Sequence, residues 1–478
     1  MTAGVDAEIC VLGGGPAGAV VARRLAQLGH HAVLVDRTAD ETEEEPRAES
    51  LAPSILPIVD SLQLRGDIEA AVFCRESRAL LRWHSAVLEK SFAATSSLLV
   101  ERACFDRLLR RAAARSGVRL IAPVRAHAPQ RLASGGWLVP VTASKGPAAI
   151  KAAFLVDARG KRHHGRSYAA PLTAAISALW AACDRSLAET RIEAGHDAWF
   201  WGSPVPRSRY VATIFLDSER VAGTAGANRA QLYRQLLSRS HLLKDLVQGD
   251  MIGPIRVRDA TPRISPDPVG HDFIRVGEAA VAIDPLSSQG IQEAFLAAIQ
   301  ASAAVHTILT PGCDPTPALE FYRERRQTVA ARSRLTAARF YRAHTDRSSF
   351  WMRRSSAAEE AATDHRRQTR TGTAPPSGLR LSQALRIVEA PVLSGAFIRR
   401  APALSHPCLE RPVAYFGGVA LAPLVEDAGG ASTADQILLR WTRRMPPETA
   451  RSIMDWMWTV GILDPQAGAT HDPTPASR

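Results

Sequence analysis

Long apolar runs are missing from this 478-residue sequence, and their absence sets the first limits. No segment reaches the roughly 18 uninterrupted apolar residues that a membrane-crossing helix needs. The opening MTAGVDAE has neither a basic n-region nor an apolar h-region. Neither a membrane span nor secretion is expected, and a cytoplasmic location follows as an expectation. Cysteine is sparse and scattered: Cys10, Cys74, Cys104, Cys183, Cys313 and Cys408 form no C-x-x-C pair. That spacing argues against a disulfide framework and a structural zinc site, so no metal is expected. Lysine is scarcer still. Lys90, Lys145, Lys151, Lys161 and Lys244 leave arginine to carry nearly all the positive charge behind the net +12. Between residues 320 and 370, thirteen arginines stand against six acids, interleaved with Ala, Phe and Tyr in a helical pattern. No nucleic-acid motif accompanies them, so a solvated helix face is expected and nucleic acid is not. The same arginines would suit an acidic peptide or protein partner.

An apolar fraction of 46% lets a chain of this length bury a large core divided over two or three domains. Residues 8–36 carry the strongest local pattern. Ile9, Cys10, Val11 and Leu12 form a buried strand, Gly13, Gly15 and Gly18 make a G-x-G-x-x-G turn through Pro16 and Ala17, and a second apolar strand ends on Asp36 and Arg37. Gly13 permits the tight turn, Gly15 admits a pyrophosphate, and Gly18 allows close packing of helix on strand. Helix N-terminal amides hold phosphates, and a carboxylate at Asp36 can accept the ribose hydroxyls.

Further along, Ser50 or Pro53 is expected to open an amphipathic helix with Ile55, Val59 and Leu62 inward. Strands are expected over residues 79–88, 118–124, 137–141 and 153–156, and a helix over 100–113. Val124 ends one of those strands, and Asp157 ends another before a glycine turn, a place suited to cofactor contact. Residues 173–216 break into short apolar strands, the mark of an inserted antiparallel sheet that carries substrate, and residues 229–248 read as a helix. The sequence FIRVGEAAVAIDPLSSQGI from Phe273 then returns to the cofactor. Glu278 after Gly277 can bind ribityl hydroxyls, and the turn Asp284-Pro285 leads into a helix at Gly290 and Ile291 whose dipole can stabilise a reduced isoalloxazine.

Together, GGGPAG, the RACFD segment with Arg102 and Asp106, and the late GEAAVAIDPLSSQGI resemble the FAD-binding fold of single-component aromatic hydroxylases and flavin-dependent halogenases over about the first 310 residues. The resemblance implies an α/β, Rossmann-like FAD-binding fold with an antiparallel substrate sheet and a helical C-terminal extension. It implies FAD contacts at Asp36, Arg102 and Glu278, with Glu278 standing where Asp is more usual. D-P-L-x-S-x-G-I and Trp199-x-Trp201-x-x-Pro204 are similar to the tryptophan-halogenase branch, with Ser203 in place of Ile. A halogenase of that branch uses a lysine near residues 73–78 and a glutamate inside the late motif. No lysine precedes Lys90, and Ser287 occupies the glutamate's place. Hydroxylation is therefore favoured over halogenation: FAD and dioxygen would form a C4a-hydroperoxide, with NAD(P)H or reduced flavin as electron source. The ES-L-x-P segment and the helical extension are similar to flavoproteins that mature peptidyl tryptophylquinone cofactors, as in quinohemoprotein amine dehydrogenase biogenesis. That similarity implies a tryptophan-bearing protein or peptide substrate and a maturation complex as partner. A small-molecule indole or phenol hydroxylase and a non-catalytic flavin-binding assembly factor are the alternatives. The catalytic residues stay unidentified; His84, Glu49 and His196 are conceivable bases, and Glu49, Trp199, Trp201 and Ser287 are candidate substrate-pocket residues.

The expected domains are residues 1–172 with 250–310 for FAD, 173–249 for the substrate sheet, 311–370 as helices, and 371–478 as a small helical module and disordered tail. Ile437, Leu438, Trp441, Ile453, Met454, Met457 and Val460 supply that module's apolar face. It faintly resembles a winged helix without a basic recognition helix, and it serves equally as a stabilising cap or a docking module.

Overall fold

A computed structural model describes residues 5–38, 47–76, 78–83, 88–91, 96–143, 146–161, 170–181, 189–356, 370, 374–431 and 433–466. The strand Val5–Leu12 lies in the middle of the nucleotide sheet, between Ala32–Val35 and Gly146–Asp157, both parallel to it. Arg119–Ile121 extends the sheet beyond Ala32–Val35, and Phe273–Arg275 pairs with the end of Gly146–Asp157. The register sets Leu12 opposite both Val35 and Asp157, so the carboxyl ends finish together. Backbone bonds from Gly13 to Val35 and from Ala158 to Leu12, both 2.8 Å, fix the turns that leave them. Ligands of open parallel sheets bind at such an edge.

These central strands are apolar on both faces because both are covered, one by helices and the other by Val124, Val139, Val141 and Trp137. Pro16–Gln27 runs antiparallel to its strand with Val20, Val21 and Leu25 buried, and Gly290–Leu309 packs beside it through Phe295, Ala298 and Ala301. Gly277 adopts φ +63°, and a Cβ there would lie 2.7 Å from the Ala17 side chain. The late motif is thereby pressed against the early one, 260 residues away in sequence. At the far end of these helices Glu8, His30 and His306 form a chain, with His30 Nδ1 2.7 Å from Glu8 and Nε2 2.9 Å from His306 Nδ1. Burial and the neighbouring His30 hold the His306 pKa below the ordinary histidine value. A histidine whose folded pKa is depressed binds its proton more readily when unfolded, so stability falls as pH drops through the ordinary histidine range. His306→Gln is expected to flatten that fall, measured as the difference in Tm between pH 8 and pH 5.

A second sheet takes seven strands in the order Met251–Asp259, Thr173–Ala181, Arg209–Asp217, Trp199–Val205, Thr190–Ala194, Arg78–Arg82 and Leu88–Ser91. It extends past the expected bounds of 173–249, and Arg78–Arg82 runs parallel to its neighbour, so the sheet is not wholly antiparallel. Pairing between strands more than a hundred residues apart leaves no local pattern to read. Pleating sends alternate residues to opposite faces. Ile176, Trp180, Phe200, Tyr210 and Ile214 pack under the helix Gly226–Leu237, while Ser177, Leu179, Trp199, Trp201, Val211, Thr213 and Phe215 face the other way.

Smaller departures have local causes. Ser50 lies in the strand Ala48–Leu51, and Pro53 opens the turn Pro53–Ile55 and the helix Leu56–Ser61, with Ile55, Val59 and Leu62 buried as expected. The expected strand 79–88 is two strands, and residues 84–87 lie outside the described residues. The expected strand 118–124 is interrupted at Ala122-Pro123, after which Val124–Ala126 pairs with Trp137–Ala143 instead. No described helix is long and apolar enough to cross a membrane.

By its internal contacts the chain divides into two units, residues 1–315 with 322–359, and residues 316–321 with 360–478. The boundary falls inside the helix Thr316–Ala343, not between the expected segments. The second unit has a core of Leu379, Leu404, Leu421, Ile437, Trp441, Ile453, Met454 and Met457, with Leu438 and Val460 packed at its margin. It is not wholly helical. The helices Ala422–Ala428, Ala434–Trp441 and Pro447–Thr459 are joined by a ribbon of Arg386–Ser394 against Phe397–Ser405. Pro391 and Pro402 obscured that ribbon in the sequence; a two-stranded ribbon tolerates proline on its open edges. The expected disordered tail begins inside structure, since Leu463–Pro465 pairs with Leu379–Leu381, and residues 467–478 lie outside the described residues.

Candidate active site

One cavity of about 1650 Å³ runs from the glycine turn to the open face of the second sheet. At its nucleotide end, Gly13 has φ +102°, and a Cβ there would meet the Ala158 carbonyl at 2.6 Å. Gly18 allows the contact the sequence predicts: a Cβ would sit 1.8 Å from the Gly13 carbonyl oxygen. Gly15 has nothing within 4 Å of a Cβ. Pro16 follows it in the first turn, with no side-chain cap and no acid there, so the helix presents uncompensated positive dipole to the cavity. Gly290 opens the second helix likewise without a side-chain cap and with open space before it, although Glu293 stands in that helix's first turn.

Asp36 stands beside the glycine turn, 3.2 Å from the Arg110 guanidinium. Burial raises its carboxyl pKa, partly countered by Arg110 and by the amides of Arg37 and Gly14. Arg102 opens the helix Arg102–Arg115 and reaches two carboxylates, Asp106 at 3.1 Å and Glu49 at 3.2 Å. Burial works against its cation, yet Asp106 and Glu49 outweigh that and hold its pKa above the ordinary arginine value. Burial lifts the Glu49 carboxyl, with Arg102 opposing.

Arg37, Val124, Gly277, Glu278, Asp284, Pro285 and Ile291 also line the cavity, as do Trp199 and Trp201. Trp199 stacks on Phe215 with ring centroids 3.7 Å apart. Asp284 is 7% exposed; its carboxylate accepts from the Leu286 amide at 3.0 Å and from the Tyr341 hydroxyl at 3.1 Å. Three candidates are not on the cavity wall. Gly18 packs against Gly13, Asp157 is closed in a two-point pair with Arg159 at 2.9 and 2.8 Å, and the Ser287 hydroxyl turns back to the Asp284 carbonyl at 2.9 Å. Arg159 lines the wall in place of Asp157. Among the conceivable bases, His196 is three-quarters exposed and paired with Asp346 away from the cavity, and His84 lies outside the described residues. Sequence reasoning missed Arg110, Tyr341 and Lys161. Arg110 was findable, since it lies eight residues after Arg102 and thus on the same helix face. Tyr341 was not, being 57 residues from the carboxylate it binds.

Residues 6–171 match the family described as FAD binding domain. A tryptophan 2-halogenase of Chondromyces crocatus is 28% identical over 379 residues, 74% of this chain and 71% of that protein. Among solved structures, the peptidyl tryptophan dihydroxylase QhpG, essential for tryptophylquinone cofactor biogenesis, superposes with TM-score 0.72 at 24% identity, covering 96% of this chain and 100% of that one. The flavin-dependent halogenase CmlS superposes with TM-score 0.77 at 17% identity, covering 100% and 99%. The chain is a flavin-dependent oxidoreductase with the fold shared by aromatic hydroxylases and flavin-dependent halogenases. Within that group, its likeness to QhpG and to CmlS runs through the C-terminal region, beyond the stretch where the sequence resemblance lies.

Proposed function

We propose that this chain hydroxylates the ring of a tryptophan side chain in a partner polypeptide, using FAD, dioxygen and electrons from NAD(P)H or a reduced flavin. The observation carrying this is one space shared by the two uncapped helix N-termini and a sheet face bearing Trp199 and Trp201. At about 1650 Å³ it exceeds the ~300–1,000 Å³ of ordinary small-ligand pockets, leaving room for a dinucleotide and a bulky aromatic together. QhpG, which shares the fold, acts on peptidyl tryptophan.

The residues present fit FAD. Gly13, Gly15, Pro16 and Ala17 would hold the pyrophosphate, Asp36 the adenosine ribose, Arg102 and Glu278 the middle of the cofactor, and Gly290 and Ile291 the ring system. Bound FAD supplies two-electron activation of dioxygen for delivery to an electron-rich ring. The apolar sheet face, through Leu179, Val211 and Phe215, excludes water and orients the ring.

Halogenation is a second reading, favoured by Lys161, which lines the cavity although it lies far from the family's lysine position. One experiment addresses both. FAD-loaded protein, reductant, labelled dioxygen and bromide are incubated with a tryptophan-bearing partner peptide, and the products are weighed by mass spectrometry. Labelled oxygen in the peptide is the expected result. Bromine in the peptide would establish halogenation, and oxygen only in free indoles or phenols would make this a small-molecule hydroxylase.

A further inference from the structure

We propose that Asp284 accepts the proton lost by the aromatic ring as it is oxygenated, with Tyr341 as its positioning residue; this rests on the hydroxylase reading above. Sorting the carboxylates of the cavity by partner isolates it. Asp36 is paired with Arg110, Glu49 and Asp106 with Arg102, Asp259 with Arg263, and Glu293 with Arg332. Glu278 is exposed at the ribityl position. Asp284 instead takes its hydrogen bonds from neutral donors, the Leu286 amide and the Tyr341 hydroxyl. No histidine lines the cavity among the described residues.

The surroundings connect this carboxylate to the sheet face. Tyr341, 3% exposed, packs in one cluster with Trp199, Phe215, Phe350 and Trp351. The Trp199 indole N–H, on the cavity wall and 3% exposed, makes no hydrogen bond of ordinary geometry. That cluster thus sets Tyr341, and through its hydroxyl Asp284, against the residues of the substrate face. Burial raises the Asp284 pKa; the Leu286 amide, the Tyr341 hydroxyl and the charges of Arg354 and Lys161 oppose it. Arg354 is itself tied to Asp217. Burial and the adjacent Asp284 hold the Tyr341 hydroxyl well above its ordinary pKa, so it stays a donor.

The chemistry balances as follows. Dioxygen and two electrons supply one oxygen atom to the ring and one to water. The new carbon–oxygen bond takes its electron pair from the ring, while the departing oxygen keeps the electron pair of the broken oxygen–oxygen bond and takes up a proton. Electron withdrawal acidifies the ring N–H, and Asp284 removes that proton; loss of the proton on the oxygenated carbon and reprotonation of nitrogen then restore aromaticity. A base of this kind contributes about 10²–10⁴-fold.

The test compares FAD-loaded wild type, Asp284→Asn and Tyr341→Phe with a tryptophan peptide, reductant and labelled dioxygen. Asp284→Asn is expected to keep bound flavin but to release hydrogen peroxide in place of ring product, with product down about 100-fold and its acidic limb in the pH profile gone. Tyr341→Phe removes a bond that favours the carboxylate, so its acidic limb should move to higher pH. Unchanged product and an unchanged acidic limb in Asp284→Asn overturn the proposal, as does loss of flavin from both variants. Infrared difference spectra on adding 3-methylindole need no turnover. Ring binding should enlarge a protonated-carboxyl band that Asp284→Asn lacks. If that band responds while the wild type oxygenates nothing, the hydroxylase reading fails and the placement of Asp284 at the ring stands; no response overturns the placement.

Discussion

Gly18→Ala is expected to strip the protein of retained flavin and destabilise the apoprotein, whereas Gly15→Ala should weaken flavin binding and leave the apoprotein's Tm unchanged. The two glycines differ in what surrounds them. A Cβ on Gly18 would lie 1.8 Å from the Gly13 carbonyl oxygen and 3.1 Å from the Ala158 Cβ. The closest clash is with the main chain of Gly13, and the Ala158 Cβ has no rotamer by which to move aside, so the helix must lift from the strand. A cost of about 3 kcal/mol, the upper end for overpacking, is expected. Lifting that helix also displaces the amides at its N-terminus that face the cavity. A Cβ on Gly15 meets no protein atom within 4 Å, and Gly15 has φ −71°, which alanine adopts without strain. Whatever Gly15→Ala loses must come from the space in front of the helix. A tenfold or greater fall in FAD affinity, about 1.4 kcal/mol, is expected. Flavin titration alongside melting of the flavin-free proteins reads both effects. Equal Tm losses in the two variants would show that Gly15, too, only packs the fold.

The second large effect lies at Arg102. Its guanidinium holds Asp106 and Glu49 together at 3.1 and 3.2 Å, and its side chain is 20% exposed. Arg102→Met keeps much of the stem's packing but leaves two carboxylates facing each other in a poorly solvated place. Breaking a buried pair from one side costs about 3–5 kcal/mol; the partial exposure here places the expected loss near 3 kcal/mol. The pH dependence separates this from a packing defect. Burial already raises the Glu49 pKa, and Arg102 opposes that rise. Without Arg102 the folded-state pKa rises further above the unfolded value, so the penalty is full near neutral pH and is relieved as Glu49 takes up its proton at lower pH. The Tm gap between Arg102→Met and wild type should therefore narrow as pH falls from 7.5 toward 5. A gap that stays constant would mean that the guanidinium's charge does not matter there.

Much of the candidate site was legible because its signals are local. A glycine turn needs particular residues at fixed offsets, and so do an apolar strand ending on Asp36, the RACFD helix start and the DPLSSQGI turn. Each is written within about thirty residues, the reach of a strand, a turn and a helix. Trp199 and Trp201 could be placed on one strand face for the same reason, since side chains alternate with period two. The same local rules erred where a residue has a closer partner than the expected one. Asp157 ends its strand as expected, but Arg159, two residues on, closes on its carboxylate.

The amino-acid sequence by itself determined that this chain builds a dinucleotide-binding unit early and forms a second turn into a helix after residue 273, because backbone geometry at glycine and apolar periodicity act over short spans. It also excluded a lysine at the family's position, since none precedes Lys90. Only the tertiary structure decided which distant groups meet. It joined Arg78–Arg82 to Thr190–Ala194, turned the sheet's second face into a cavity wall, brought Lys161 to that wall and set Tyr341 on Asp284. Contacts of this kind depend on burial of whole faces and on hydrogen bonds between groups far apart in the chain, and no periodicity or spacing encodes which carboxylate will be left with neutral partners.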